Sequence, residues 1–250
     1  MDRFRAHFAD YTDRYVLIGG TACSIAMDEV AIEFRVTKDL DIVLCIEALD
    51  GDFAKVFWDF IRDGNYKHQQ KSTGRTLFYR FDDPKDEAFP YMLELFSRVP
   101  DALHLKDDSH LTPIPVGDEV PSLSAILLDD DYYSFIQAGK QEIDGLPIVI
   151  PVYLIPLKAK AWLDLTGRRE AGEAVDAKDI RKHRNDVFRL YQAISLNARI
   201  APPDSIKDDL VQFLTLVKGD TSLTLKDLGL RSTTLKEIAE NLVAIYGLER

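Results

Sequence analysis

Residues 35–44 read RVTKDLDIVL. Polar and apolar positions alternate from Asp39 to Ile42, and a period of two is the mark of a β-strand with one face turned away from the core. Asp39 and Asp41 therefore project to one side, Leu40 and Ile42 to the other. Aspartate is a poor strand former, and two neighbouring carboxylates oppose each other's ionisation unless a cation neutralises them. A strand with one solvated face explains the pair without any ligand. A divalent cation explains it as well, because Mg²⁺ is typically held by one or two carboxylates together with substrate phosphates.

The surroundings favour the second explanation. Upstream, DRYVLIGG reads as a strand over 14–18 ending in the glycine turn Gly19–Gly20, and TACSIAMDEVA continues with helical spacing. Glycines let the backbone approach a ligand closely. The following helix N-terminus offers free N–H groups and the positive end of a dipole, which suits phosphate. Thr21 either adds a hydroxyl to that cradle or caps the helix. A third acid, Glu94, stands between apolar residues in YMLELFS (91–97), a predicted strand. It is either the solvated side of that strand or the third member of a carboxylate triad, as metal ligand or as a base toward an acceptor hydroxyl. Asp82 and Asp83, just before Pro84, read as turn residues.

Elsewhere, GDFAKVFWDFIRDG (51–64) is an amphipathic helix closed by Gly64. RTLFYRF (75–81) alternates like a strand, and DDPKDEAFP separates it from the strand of Glu94. The four prolines between Val99 and Asp131 predict loops with short elements. LPIVIPV (146–152) returns as a strand. From there the pattern is helical: IPLKAKAWLDL opening on Pro156, DAKDIRKHRNDVFRLYQAISL capped by Asp176, DSIKDDLVQFLTLVK and TTLKEIAENLVAIYG. The expected organisation is an α+β domain over 1–150 followed by a helical domain over 151–250.

The net charge of -11 argues against a chain coated for nucleic acid or membrane. The acid is unevenly spread: residues 151–200 hold ten Lys/Arg against six Asp/Glu, or +4, which leaves -15 for the rest. That segment either faces something anionic or balances the acidic remainder. Cys23 and Cys45 sit in apolar runs without metal-ligand spacing, as core thiols of a reducing compartment do. The longest apolar run, LPIVIPVYLIPL, is short and broken by prolines, so no membrane span is expected and the expected location is cytoplasmic.

The order of these strings (apolar strand with GG, alternating D-x-D, then an acid within an apolar strand) resembles the DNA polymerase beta-like nucleotidyltransferases. GGTACSIAMDEVAIEFRVTKDLDIVL resembles the AbiEii/AbiGii-type branch, with Arg35, Thr37, Asp39 and Asp41 at the positions of its R-x-T-x-D-[IL]-D string. LIPLKAKAWLDL and KDIRKHRNDVFRL resemble the later motifs of that branch at Lys158, Lys182, His183 and Asp186. The resemblance spans about residues 14–195. It implies an α/β-type nucleotidyltransferase core with a mixed sheet and a helical domain that closes the nucleotide cleft. Asp39, Asp41 and Glu94 would be catalytic residues holding Mg²⁺, with Mn²⁺ as an alternative. Gly19, Gly20 and Thr21 would bind the nucleotide triphosphate together with Lys182 and Asp186, and Lys158 would be a catalytic lysine on phosphate. His183 would position substrate. Arg35 and Lys38, just before the acidic strand, either balance its charge or contact phosphates, and Thr37 is placed to hydrogen-bond the aspartate loop. The family implies transfer of a nucleoside monophosphate from an NTP to an acceptor hydroxyl, RNA or tRNA among the acceptors, by the toxin component of a toxin–antitoxin or phage-defence system with a cognate antitoxin.

The residues alone leave other readings open. Lys158 lies in an apolar stripe with Leu154, Leu157, Ala161 and Leu165, where a lysine can also snorkel to the surface. Lys182 and Asp186 have the spacing of a helical ion pair. The stripe of the long helix is Ile180, Val187, Tyr191 and Ile194. An inactive nucleotide- or protein-binding module on the same fold, or a nucleotidyltransferase acting on a small cationic molecule such as an antibiotic, are the alternative functions.

Overall fold

The computed structural model describes residues 1–35, 37–68, 79–100, 111–114 and 123–248. Its first unit consists of Met1–Ile25 with Arg35–Val149. The elements are α1 (Asp2–His7), β1 (Tyr15–Ile18), α2 (Gly19–Asp28), β2 (Asp39–Leu44), α3 (Gly51–Gly64), β3 (Lys67–His68), β4 (Arg80–Asp82), β5 (Met92–Ser97), β6 (Leu111–Ile114), β7 (Leu123–Leu127), α4 (Asp130–Ala138), β8 (Lys140–Ile143) and β9 (Leu146–Val149). The last turn of α2, from Ala26, is counted with the second unit.

The strands form one mixed sheet in the order β3-β4-β5-β2-β1-β9-β8, with β7 joined to β5 and β6 to β7. The D-x-D strand lies inside this sheet: β2 runs antiparallel to β1, with Ile18 opposite Asp41, and parallel to β5, with Asp41 opposite Glu94. β4 runs antiparallel on the other side of β5, with Arg80 opposite Glu94. The core of this unit is strongly aromatic. Phe4 and Phe8 pack at 4.6 Å between ring centroids, and Tyr15, Phe53, Phe57 and Phe60 join the cluster. Each ring contributes about 1.5–3 kcal/mol by burial, which is why the short α1 holds its place.

One expectation for this unit changes, the residue that closes α3. Asp50 caps α3 by accepting from the Phe53 N–H at 2.9 Å. The closing residue is Asn65 (φ 49), whose N–H returns to the Arg62 carbonyl, and Gly64 remains helical. The proline-rich stretch from 99 to 131 holds the short strands β6 and β7, in keeping with the short elements expected there. Among the described residues β6 pairs with β7 alone, and an edge strand tolerates the missing N–H of Pro113. Residues 75–78 of the predicted strand, and 101–110 and 115–122 of the predicted loops, lie outside the described residues.

The second unit, Ala26–Phe34 with Ile150–Arg250, is helical: α5 (Pro151–Glu170), α6 (Ala177–Tyr191), α7 (Asp204–Val217) and α8 (Leu235–Tyr246). Trp162 of α5 meets Phe213 of α7 edge-on at 5.3 Å, and Phe213 also meets Phe188 of α6. Asp176 caps α6 through the Lys178 N–H, and Thr234 with Glu237 forms a capping box on α8.

Here too the sequence expectation shifts. β9 ends at Val149 and α5 begins at Pro151, so Pro156 lies inside the helix. A proline there cannot donate to the carbonyl four residues back, which is that of Val152. The Tyr246 hydroxyl donates to this carbonyl at 2.6 Å. α6 is shorter than expected, ending at Tyr191, with Val187, Phe188, Leu190 and Tyr191 buried and Ile194 beyond its end. Among the described residues no helix is long and apolar enough to cross a membrane.

Candidate active site

β1 runs directly into α2 through Gly19, whose φ is +69°. A Cβ on Gly19 would fall 1.6 Å from Asp41 Oδ2. The Asp41 carboxylate thus lies over the glycine at the head of α2, where the helix presents unpaired N–H groups and a partial positive charge. Gly20 is crowded as well: its Cβ would come 2.9 Å from Thr37 Oγ1 and 3.2 Å from an Arg35 guanidinium nitrogen. Thr21 is buried, and its hydroxyl donates to the Asp39 backbone carbonyl at 2.6 Å. It pins the start of β2 to the start of α2. The glycine turn and the D-x-D strand are therefore one local construction.

Asp39 and Asp41 sit on the same face of β2, both half-buried, while Leu40 and Ile42 are buried on the other. Glu94 stands across from Asp41 on the next strand, and Arg80 across from Glu94 on the strand after that. Arg80 Nε donates to Glu94 Oε1 at 2.7 Å, and a second guanidinium nitrogen donates to the same oxygen. Burial pushes the Glu94 carboxyl up; Arg80 opposes the shift, and the charges of Asp41 and Asp39 add to it, leaving the carboxyl above its usual range. Arg80 is the residue of this row that the sequence reading does not name. Its signal is a cation in the alternating run beside β5, and the pairing with Glu94 depends on a strand register that residue spacing does not encode.

A cation fits part of this arrangement. The two aspartates share a face, and their charges still bear on Glu94, so positive charge is favourable there. Among the described residues, however, no three His, Cys, Asp or Glu side chains converge as a ready metal cage, and Glu94 is bound by Arg80. This suits an ion held by Asp39 and Asp41 and completed by ligand oxygens, as Mg²⁺ commonly is.

The remaining sequence-predicted residues lie in the second unit. Lys158 does not snorkel: it is 4% exposed and its Nζ lies 3.5 Å from Asp186 Oδ2. Asp186 is fully buried, and its other oxygen lies 3.4 Å from Arg189 Nη1. Lys182 is half-buried on the same helix. Lys160, on the other side of α5, meets Asp164 and Asp209 at 3.4 Å each.

No model of a known protein family matches the sequence, and no curated protein matches it. Among solved structures, the Megavirus polyadenylate synthase overlays with a TM-score of 0.38 and 12% identity, over 88% of this chain and 36% of that one. A protein of H. pylori with a provisional nucleotidyltransferase assignment overlays with a TM-score of 0.38 and 15% identity, over 99% and 91%. The chain spans about a third of the Megavirus enzyme. Overlays of this closeness assign neither family nor activity.

Proposed function

We propose that the protein is a Mg²⁺-dependent nucleotidyltransferase of the AbiEii-like type, moving a nucleoside monophosphate from an NTP to an acceptor hydroxyl, with RNA the acceptor. The observation that carries this reading is the placing of Asp41 over Gly19: carboxylates suited to a cation and backbone N–H groups suited to phosphate occupy one spot. Asp39 and Asp41 would hold Mg²⁺, which when bound supplies positive charge against the phosphate oxygens. The free N–H groups at the start of α2 orient the triphosphate, and the absence of side chains at Gly19 and Gly20 lets it approach. Both Arg80 bonds go to one oxygen of Glu94, which leaves Oε2 to take the proton of the acceptor hydroxyl. Catalysis of this kind is largely positioning and charge stabilisation, and the phosphate roles of Lys158 and Lys182 rest on the resemblance alone. A toxin role with a cognate antitoxin follows from the same resemblance.

The test is incubation of the protein with each labelled NTP, Mg²⁺ and total RNA, beside Asp39→Ala and Asp41→Ala. Label should enter RNA only with the unaltered protein and Mg²⁺. Absence of label from RNA, protein and small acceptors, with any NTP, would sink the enzymatic reading. Label on a small cationic acceptor alone would move the assignment to the antibiotic-modifying class.

A further inference from the structure

A pocket of about 490 Å³ opens in the second unit, away from Asp39 and Asp41 in sequence, lined by residues of α5, α6 and the segment after α7. That volume is in the range of small-molecule sites. Its floor holds Arg184, a charged side chain only 3% exposed. Arg184 pairs with Asp220, donates to Ser222 Oγ at 2.8 Å, and reaches Asn185 Oδ1 at 3.1 and 3.0 Å. Burial raises the Asp220 carboxyl, but the hydrogen bonds from Ser222 and Arg184 outweigh it and hold the group below its usual range. This clasp fixes the floor and uses up the charge of Asp220.

The rim is different. Arg169 and Arg181 line the same pocket, are exposed, and have no ion pair or side-chain hydrogen bond among the described residues. Glu170 is the one other carboxylate of the lining. Three guanidiniums that always carry charge are thus gathered at one concavity, two of them without a partner. Trp162 and Ile180 supply an apolar wall beside them. Guanidiniums recognise phosphate through paired N–H donors, and an indole wall suits a flat ring. Three of the ten Lys/Arg of residues 151–200 line this pocket.

We propose that this pocket binds a phosphate ester bearing a planar ring, of the mononucleotide kind, at a site built from residues of the second unit alone. Recognition is divided between the Arg169 and Arg181 forks on the phosphate and the Trp162 wall on the ring. It does not depend on the nucleotidyltransferase reading, because every lining residue belongs to the second unit.

The chain has two tryptophans, so a Trp58→Phe variant leaves Trp162 as the sole indole reporter. Its emission is followed while AMP, adenosine and inorganic phosphate are added separately to the full-length protein. AMP should change the emission saturably, and adenosine and phosphate should each bind at least about tenfold more weakly. Arg169→Ala/Arg181→Ala, both at exposed positions, should weaken AMP by about tenfold or more with an unchanged melting temperature. Asp39→Ala/Asp41→Ala should leave AMP binding as it was. No response up to about 10 mM AMP, or adenosine binding as tightly as AMP, overturns the proposal. AMP binding that survives loss of both arginines but vanishes with the aspartates overturns it too, and leaves the nucleotidyltransferase reading standing.

Discussion

Replacing Gly19 by alanine tests the geometry on which the candidate site rests. The residue sits at φ +69°, and a side chain in the left-handed region costs about 1–2 kcal/mol. The new Cβ would also lie 1.6 Å from Oδ2, 2.6 Å from Cγ and 3.0 Å from Cβ of Asp41. The carboxylate must swing aside, an overpacking cost of about 1–3 kcal/mol. Gly19→Ala should then destabilise the first unit by about 2–5 kcal/mol in total. Gly145 is the internal control. With Asp144 it forms the two-residue turn between β8 and β9, at φ +71°, and its Cβ would meet nothing nearer than Arg5 Cδ at 3.6 Å. Gly145→Ala should pay the backbone cost alone, about 1–2 kcal/mol. In a Trp162→Phe background, Trp58 reports urea unfolding of the first unit, and the two glycine variants are compared there. Removing the Asp41 carboxylate with Asp41→Ala should shrink the gap between them to below about 1 kcal/mol, since only the 3.0 Å contact remains. Equal destabilisation by the two alanines beside an intact Asp41 would refute the placing of that carboxylate over the glycine turn.

Lys158→Met removes one of the two cations that flank the buried Asp186 carboxylate, Arg189 being the other, and should cost up to about 3–5 kcal/mol, read from Trp162 emission in urea. Lys158→Met/Asp186→Leu should recover most of that stability without recovering nucleotide transfer, and a double variant no more stable than the single one would show that the pair is not coupled. Arg80→Ala leaves Glu94 facing Asp41 without its cation and should cost about 1–3 kcal/mol; adding Glu94→Gln should restore part of it, and no restoration would mean that charge is not what Arg80 supplies. The Cys45 thiol is raised by burial, against the pull of Lys140 and Gln137, so it ionises less readily in the folded chain than in the unfolded one. Stability should therefore fall as pH rises through the ordinary thiol range near about 8.5. Cys45→Ala should flatten that fall in urea titrations between about pH 8 and 9.5, and an identical pH slope in both proteins would contradict the assignment.

The contrast between β2 and α5 shows what a sequence like this discloses. Alternation alone puts Asp39 and Asp41 on one face, because a period of two admits no other outcome. Asp176 is likewise read as a cap, since a short polar side chain before an amphipathic run has one local use. Residues 132–145, which have no element from the sequence reading, hold most of α4 and all of β8, although Asp144–Gly145 just before the apolar LPIV is a hairpin signal. The misplaced start of α5 has a different cause. Pro156 reads as a first-turn residue because an interior proline leaves a carbonyl without its donor, and a buried orphan of that kind costs about 1–3 kcal/mol. What removes the penalty is the hydroxyl of Tyr246, from the end of α8 and 94 residues from Val152 in the chain. The row from Asp41 through Glu94 to Arg80 is hidden for the same reason: its acids are visible singly, but the cation that holds Glu94 is fixed only by pairing across β4 and β5. Local pattern thus discloses each side chain's direction. Whether that side chain is satisfied is decided by partners far along the chain, and at Glu94 the partner determines which carboxylate oxygen is left for chemistry.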